Sequence, residues 1–243
     1  MSLLQKIFRK RQQRMRPYCT ALIAAAGSSR RFGEDNKILA PLGDMPVLAH
    51  TLLAIDRAES IDEIVIAARD GELLRYAELC RTYGITKPVK VIPGGATRTE
   101  SVLRAALEAS PEAALFAVQD GARPLVTSEL IDRVVETART SFAAAPAVPV
   151  TDTIKIAQDG VVQSTPERST LFAVQTPQVF DAGLLKAALQ SALTADAAVT
   201  DDCAAVERFG KEVRLTEGDP ENIKITTPLD LIVAEAILQR RGE

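Results

Sequence analysis

Cysteine and histidine are scarce in this chain, and their placement argues against several kinds of site. Cys19, Cys80 and Cys203 are far apart, form no Cys-x-x-Cys pair and are accompanied by a single histidine, His50. A disulfide framework or a zinc site is therefore not expected. Free thiols are typical of a reducing compartment, which favours the cytoplasm. His50 has apolar neighbours in a helical pattern and is predicted to be structural.

Long apolar runs are also missing. The longest, Ala21–Ala26 and Ala143–Val150, fall well short of the roughly 18 residues that span a bilayer. No membrane span is expected. The chain has 243 residues, of which 47% are apolar and 25% charged, as in an ordinary globular protein. Because the sequence has no internal repeat and no long linker, one domain is predicted.

Acidic residues are absent from the first 17 residues, which carry six Lys and Arg. The other 23 basic residues face 32 acidic ones, so the remainder of the chain has a net charge of −9. An acidic body disfavours a nucleic-acid partner. Residues 1–17 are predicted to be a flexible basic tail before a domain over residues 18–243. The alternative is a helix that binds a membrane surface or an anionic partner, with an apolar side that begins at Leu3.

Short apolar segments alternate with helical segments along most of the chain. The predicted strands are Thr20–Ala25, Glu63–Ala68, Val89–Ile92, Ala114–Val118, Ala143–Val148 and Glu212–Thr216. The predicted helices begin at Pro46, cover Glu72–Arg81, begin at the capping box Thr97-x-x-Glu100, cover Ser128–Thr140 and Asp181–Leu193, and run from Thr227 to Leu238. The helix after the capping box is expected to bury Val102, Leu103, Ala106 and Leu107. This order predicts an α/β fold with a doubly wound, mostly parallel, Rossmann-like sheet.

A hairpin is predicted in the second half of the chain. Val150–Ile156 and Val161–Thr165 flank the pair Asp159-Gly160, which is a strong signal for a two-residue turn. A hairpin that interrupts an α/β chain usually projects from the sheet. We therefore expect an arm over about residues 150–168.

The first predicted strand runs directly into a loop of small residues, Ala25-Ala26-Gly27-Ser28-Ser29. Small side chains let main-chain N–H groups approach an anion, and the serine hydroxyls add donors. Arg30, Arg31 and Lys37 add positive charge, so the loop is predicted to bind phosphate groups. It has neither the Gly-Lys-Ser/Thr of a Walker A loop nor the Gly-x-Gly-x-x-Gly of a dinucleotide site. The alternative is a plain glycine turn with solvated basic residues.

Asp120 follows the fourth predicted strand closely, and Arg123 comes three residues later. A carboxylate at the carboxyl end of a parallel strand commonly holds Mg²⁺ that is bridged to nucleotide phosphates. The arginine can bind a phosphate through two N–H groups. The alternative is a solvated turn with a local ion pair.

Two further features are weaker signals. Gly94-Gly95 follows the third strand and opens the helix that contains Ser101, so its main-chain groups could bind a base or an anion. With the two loops above it would complete one crevice at one edge of the sheet. Asp201 and Asp202 are adjacent carboxylates at a helix start, where capping is more common than metal binding.

Seven short motifs occur in an order that resembles a known enzyme family. They are Ala25–Phe32 with Lys37, Gly94-Gly95-x-x-Arg98-x-x-Ser101-Val102, Asp120–Pro124, Pro149-Val150-x-Asp152-Thr153-Ile154-Lys155, Gln175–Gln178, Val199–Asp202 and Asn222–Thr226. Together they make the chain, from Tyr18 to about Leu238, resemble the cytidylyltransferases that act on 2-C-methyl-D-erythritol 4-phosphate in the non-mevalonate route to isoprenoids. The resemblance implies transfer of the cytidylyl group of CTP to that sugar phosphate, with release of pyrophosphate. It also implies Mg²⁺ or another divalent cation.

The resemblance implies a role for each matching residue. Those implied to be catalytic are Arg31, Lys37, Arg168 and Lys224. Those implied to bind CTP are Ala25, Ala26, Gly27, Ser28, Ser29, Gly95, Arg98, Ser101 and Gly121. Those implied to bind the sugar phosphate are Asp120, Arg123, Thr153, Arg168, Thr176, Thr200 and Lys224, with Asp120 also beside the metal ion. The arm would form a homodimer and bring Thr153 and Arg168 to the neighbouring subunit's site.

The chain departs from the family pattern in three places, and two alternative functions stay open. Gln119 stands where the family often has histidine, Ala96 stands where an acidic residue is common, and the segment between Phe32 and Lys37 is one residue shorter than in many relatives. The first alternative is a cytidylyltransferase for a pentitol phosphate such as ribitol 5-phosphate. The second is a non-catalytic nucleotide-binding protein, which the intact charged residues of the motifs disfavour. A dehydrogenase is weaker still, because the dinucleotide fingerprint is missing.

Overall fold

Twelve strands, seven α-helices and two 3₁₀ turns form in residues 16–27 and 36–242, the part of the chain that the computed structural model describes. The strands are β1 (Tyr18–Ala25), β2 (Pro41–Leu42), β3 (Met45–Pro46), β4 (Glu63–Ala68), β5 (Val89–Pro93), β6 (Ala113–Asp120), β7 (Ala143–Pro149), β8 (Ile156–Gln158), β9 (Val161–Ser164), β10 (Phe172–Val174), β11 (Gln178–Asp181) and β12 (Arg214–Glu217). The helices are α1 (Val47–Arg57), α2 (Leu73–Thr82), α3 (Arg98–Glu108), α4 (Ser128–Ser141), α5 (Ala182–Thr194), α6 (Asp202–Arg208) and α7 (Pro228–Arg241). The 3₁₀ turns are Lys37–Leu39 and Arg168–Thr170. Residues 1–15, where most of the predicted tail falls, lie outside the described ranges.

Eight strands form one mostly parallel sheet in the order β10-β7-β11-β6-β1-β4-β5, with β12 paired to β7. Strand β1 is parallel to both β4 and β6, and β4 is parallel to β5. Only β10 and β11 run antiparallel to the neighbours with which they pair in this sheet. The chain leaves β1 on one side for β4 and β5 and returns to β6 on the other side. This reversal of strand order is where open α/β sheets bind ligands, and the predicted doubly wound sheet is confirmed.

Helices cover both faces of the sheet, so its strands are apolar at nearly every position. Ala21 and Ile23 of β1 pack in a core with α1, α2 and α4. Leu22, which points to the other face, packs in a second core with α3, α5 and α6. A smaller cluster beneath α7 includes Leu125 and Ile225, and it joins the chain after β6 to the chain before α7.

Helix α3 shows where the sequence prediction was partly wrong. Thr97 caps the helix as predicted, because its hydroxyl accepts from the Glu100 N–H at 3.1 Å. Leu107, however, is 66% exposed. At 3.6 residues per turn, Leu107 lies about 140° around the helix from Val102, outside the arc that faces the sheet.

The predicted hairpin is present, but its first strand is shorter than expected. Strand β8 begins at Ile156 and pairs with β9, and Asp159 and Gly160 form the turn with φ of 50° and 79°. The predicted strand Val150–Ile156 is wrong except at its last residue. Strand β9 is only four residues long, and Pro166, which lacks an N–H group, cannot prolong the pairing.

The three cysteines and His50 occupy structural positions in the fold. Cys19, Cys80 and Cys203 are buried free thiols, and burial raises the pKa of Cys80 to about 11. The His50 Nε2 lies 2.8 Å from the Leu42 carbonyl oxygen, which fits the predicted structural role. Within the described ranges, none of the helices is long and apolar enough to cross a membrane.

Strands β10 and β11 were not predicted. They are only three and four residues long. Because the polar pair Gln175-Thr176 lies between them, no apolar run long enough to predict a strand is present. Strand β11 nevertheless lies between β6 and β7 and buries Phe180 completely.

The two positions Phe116 and Leu107 test this description of the core. Phe116 is 1% exposed and belongs to the second core, so Phe116→Ala should lower the free energy of unfolding by about 3–5 kcal/mol. Leu107→Ala should change it by less than about 0.5 kcal/mol, because Leu107 is exposed. Urea denaturation of both variants measures the difference. Equal destabilisation would contradict the assigned orientation of α3.

Candidate active site

A cavity of about 390 Å³ lies at the carboxyl ends of β1, β5 and β6. It opens at the point where the strand order reverses. Nine of the predicted site residues line it: Ala25, Ala26, Gly27, Lys37, Gly95, Arg98, Ser101, Asp120 and Lys224. The structure therefore brings the three predicted loops together at one edge of the sheet.

The remaining predicted site residues fall into three groups. Four of them fall outside the described ranges: Ser28, Ser29, Arg30 and Arg31. Gly121 adjoins the cavity but its N–H and carbonyl groups are bonded to Ala24 and Thr51, which accounts for both of its main-chain polar groups. Those outside the cavity lining are Arg123 and Thr176, which contact Asp120, together with Thr200, Thr153 and Arg168, which are exposed.

The glycine pair after β5 allows two loops to approach each other closely. A Cβ atom on Gly94 would lie 2.4 Å from the Ala26 Cβ, so only glycine fits there without a shift. The Gly95 N–H donates to the Ser101 hydroxyl at 3.0 Å, and that hydroxyl donates to the Thr97 carbonyl at 2.8 Å. These bonds hold the glycine pair against the first turn of α3.

The Asp120 carboxylate is the centre of a charged cluster. It is 7% exposed at the end of β6, and its Oδ2 lies 2.7 Å from the Lys224 Nζ and 3.9 Å from the Arg123 Nε. Its Oδ1 lies 3.5 Å from the Arg98 Nη2. Burial alone would raise the pKa of Asp120, but the three cations outweigh burial and hold this pKa at about 2. Asp120 is therefore ionised at neutral pH.

Asp202 is a part of this cluster that the sequence prediction missed. Its Oδ2 lies 2.7 Å from the Arg98 Nη1, and the residue is 1% exposed. Asp201 caps α6 as predicted by accepting from the Ala204 N–H, whereas the side chain of Asp202 turns inward to Arg98. Burial raises the pKa of Asp202, and the opposing effect of Arg98 does not cancel it. Asp201 is thus a helix cap and Asp202 a buried partner of Arg98. The sequence does not distinguish these two roles, because the two aspartates are adjacent.

Asn222 joins the Lys224 loop to the end of β6, and it too had no assigned role. It is fully buried, and its Nδ2 donates to the Thr176 carbonyl at 2.9 Å. Its main-chain carbonyl accepts from the Arg123 Nη1 at 2.6 Å. In the described part of the chain, Gln119 Oε1, Arg123 Nε and Asn222 Oδ1 are buried with no hydrogen-bond partner. Unpaired buried polar atoms are rare in folded proteins, and these three belong to Asp120's neighbours in the sequence or in the cluster. The sequence signal for Asn222 is its place at the start of the motif Asn222–Thr226, two residues before Lys224.

A larger cleft of about 570 Å³ lies at the opposite edge of the sheet. Two of its charged side chains, Lys87 and Asp132, are bonded to main-chain groups. Lys87 donates to the carbonyl groups of Ile55, Asp56 and Ala58 near the end of α1. Asp132 accepts from two main-chain N–H groups on the neighbouring loop. These contacts are structural, so the smaller cavity is the better candidate for an active site.

The candidate site suits a substrate that carries several phosphate groups. A loop of small residues, Lys37 and a carboxylate with three cations line or adjoin one cavity at the switch point of a parallel sheet. Such a site binds phosphates and stabilises charge that develops on them. The fold and site together define the class of the α/β nucleotidyltransferases.

Comparison with known proteins gives the family within this class. The family model described as IspD, 2-C-methyl-D-erythritol 4-phosphate cytidylyltransferase, matches residues 19–240. An enzyme of that name from Synechococcus elongatus is 46% identical over 222 residues, which cover 90% of this chain and 96% of the relative. Another from Bacillus cytotoxicus is 44% identical over 225 residues, which cover 91% of this chain and 99% of the relative. The crystal structure of 4-diphosphocytidyl-2C-methyl-D-erythritol synthase from Anaerococcus prevotii has a TM-score of 0.82 at 32% identity, covering 92% of this chain and 99% of that one. The chain belongs to the 2-C-methyl-D-erythritol 4-phosphate cytidylyltransferase family.

The low pKa of Asp120 predicts how stability depends on pH. The folded-state pKa is about 2 and the unfolded-state pKa is about 3.9, so ionised Asp120 stabilises the fold above pH 4. This contribution, about 2–3 kcal/mol, should disappear as the pH falls from about 4 to about 2. Asp120→Asn should therefore be less stable than the unchanged protein at pH 6, and the difference should shrink towards pH 2.

Denaturant unfolding at several pH values measures this difference. Asp70→Asn is the control, because Asp70 is exposed and lies outside the cluster. A difference between Asp120→Asn and the unchanged protein that is constant with pH would contradict the assigned charge state.

Proposed function

We propose that this chain transfers the cytidylyl group of CTP to 2-C-methyl-D-erythritol 4-phosphate. The products are 4-diphosphocytidyl-2-C-methyl-D-erythritol, an isoprenoid precursor, and pyrophosphate. The observation that carries the proposal is the buried, ionised Asp120 with its three cations, at the edge of a cavity that Lys37 lines. The names and coverage of the relatives support the choice of substrates. The free thiols support the cytoplasm as the location.

The chemistry requires positioning and positive charge rather than a general base. The phosphate of the sugar substrate has a second pKa of about 6, so it is largely ionised at pH 7 and can attack the α-phosphorus of CTP directly. Pyrophosphate leaves as the new P–O bond forms. Negative charge builds on the α-phosphate oxygens, where Lys37 and Arg31 would stabilise it. A site without a histidine base is consistent with this mechanism.

The remaining residues are assigned by their loops. Ala25–Ser29 would bind the triphosphate, and Gly95, Ser101 and Gly121 would contact cytosine and ribose. Arg98 is also proposed to bind CTP. Arg123, Thr176, Thr200 and Lys224 would bind the phosphate of the sugar. Arg123 and Thr176 contact Asp120, which supports their place next to that substrate.

Asp120 is also the residue proposed to hold Mg²⁺. Mg²⁺ is usually bound by one or two carboxylates together with substrate phosphates, and an ionised carboxylate at the cavity meets that requirement. Over residues 16–27 and 36–242 there is no group of three acidic, histidine or cysteine ligands, so the phosphates would complete the coordination. When bound, the ion would neutralise part of the phosphate charge.

The hairpin arm is proposed to make the active unit a homodimer. All residues of β8 and β9 are exposed, including the apolar side chains Ile156, Val161 and Val162. An exposed apolar hairpin favours association. Thr153 and Arg168 lie on the arm, outside the cavity of their own chain, which supports a role for them in the neighbouring site.

Lys37→Ala tests the reaction. We expect kcat to fall by about 10²–10³, because one preorganised cation at the α-phosphate is lost. The assay is pyrophosphate release with CTP and Mg²⁺, with 2-C-methyl-D-erythritol 4-phosphate and ribitol 5-phosphate compared. Lys211→Ala, at an exposed lysine outside the cavity, should keep full activity. Turnover with ribitol 5-phosphate alone would move the protein to the pentitol alternative, and no turnover with either sugar would favour a binding protein.

Mixed dimers test the proposed role of the arm. Lys37→Ala and Arg168→Ala are each expected to be nearly inactive. If Arg168 serves the neighbouring site, a mixed dimer contains one site with both residues intact, and co-expression of the two variants should restore roughly a quarter of the unchanged activity. No restoration in isolated mixed dimers would place Arg168 in its own subunit's site.

A further inference from the structure

The hydroxyl of Tyr76 connects two parts of the chain that flank the cavity. The Tyr76 Oη lies 3.4 Å from the carbonyl oxygen of Ala25, at the end of β1. It also accepts from the Asn36 Nδ2 at 2.9 Å. Asn36 immediately precedes the 3₁₀ turn that begins with Lys37. One side chain on α2 therefore contacts both the start of the phosphate loop and the entry to the turn that carries Lys37.

Tyr76 is rigidly placed for this role. It is 0% exposed and packs in the first core together with Ile38, the residue after Lys37. Burial raises the pKa of Tyr76 to about 12 although Asn36 bonds to its oxygen, so the hydroxyl keeps its proton at neutral pH. A protonated phenol donates one hydrogen bond and can accept another. It can thus donate to Ala25 while it accepts from Asn36.

Asn36 passes this contact on to the turn. Its Oδ1 accepts from the Ile38 N–H at 3.4 Å, which caps the turn, while its Nδ2 is bonded to Tyr76. Lys37 lies between the two bonded residues and lines the cavity. The direction in which Lys37 leaves the main chain thus depends on how Asn36 is held.

A second side chain steadies the start of the loop independently. Arg69 directly follows β4, and its Nη2 donates to the Gly27 carbonyl at a distance of 2.6 Å. This contact acts on the β1 side only. The hydrogen bond between Asn36 and Tyr76 joins that side to the residue before Lys37.

We propose that Tyr76 is a positioning residue for the cytidylyl transfer, because its hydroxyl ties Ala25 to Asn36 and thereby orients Lys37 towards the phosphates of CTP. The inference rests on the proposed function. It assigns Tyr76 no contact with substrate. A preorganised cation is effective only if it is held where the charge develops, so loss of the tie should lower kcat.

Tyr76→Phe removes the hydroxyl and keeps the ring in the core. One neutral hydrogen bond corresponds to a change of about 3–10-fold in rate if all of it serves positioning. We expect kcat to fall by that factor, with the KM for 2-C-methyl-D-erythritol 4-phosphate changed less than about twofold, because the groups around Asp120 are untouched. Tyr83→Phe is the matched control, since Tyr83 ends the same helix and packs against the same core. It should leave kcat unchanged.

Double variants distinguish positioning from a general loss of stability. Asn36→Ala should lower kcat about as much as Tyr76→Phe, and the two together should lower it no further. In a Lys37→Ala background, Tyr76→Phe should have almost no additional effect on kcat. A merely structural role would multiply the losses in every background. Asn36 is partly exposed, so its variant still tests the tie if Tyr76→Phe folds poorly.

Hydrogen exchange gives a readout that is independent of turnover. In Tyr76→Phe, the amide groups of residues 36–40 should exchange faster than in the unchanged protein, whereas those of β4 should not. Inactivity of the unchanged protein would refute the proposed function itself. An active protein whose kcat and exchange rates are both unaffected by Tyr76→Phe would overturn the inference about Tyr76 alone.

Discussion

The rest of the site depends on one buried carboxylate and the cations that keep it ionised. Asp120 ends a central strand, where burial opposes its charge, and Lys224, Arg98 and Arg123 reverse that effect. Each cation comes from a different part of the chain: the loop before α7, the start of α3 and the turn after β6. Neutralising Asp120 would leave three partly buried cations facing one another. The cluster therefore couples these segments to the central sheet.

Buried partners behind the cations give the cluster its geometry. Asp202 lies 2.7 Å from Arg98, and the Asn222 carbonyl accepts from Arg123 at 2.6 Å. With Asp202 ionised, three cations face two carboxylates in this cluster. A substrate that brings phosphate groups supplies the missing negative charge. The site also needs no histidine as a general base, because the attacking phosphate is already ionised at neutral pH.

The sequence predicted the parallel sheet and the main loops because their signals are local. Val-, Ile- and Ala-rich segments between helical segments identify strands that are covered on both faces, and the Asp159-Gly160 turn appears where expected. Predictions failed where the outcome depends on distant contacts. Leu107 fits the helical pattern but lies beyond the edge of the arc that α3 buries. Strand β11 is too short to recognise in the sequence, and it forms by pairing with β6 on one side and β7 on the other.

The sequence by itself determined the fold class, the family and the set of charged residues, because alternation, turns and ordered motifs are properties of neighbouring letters. Only the tertiary structure decided which charges meet. It separated Asp201, a helix cap, from Asp202, a buried partner of Arg98, and it brought the Tyr76 hydroxyl between Ala25 and Asn36. The physical reason is that hydrogen bonds and ion pairs act over a few ångströms in space. Residues 40 or more positions apart reach that range only after the helices have packed on the sheet.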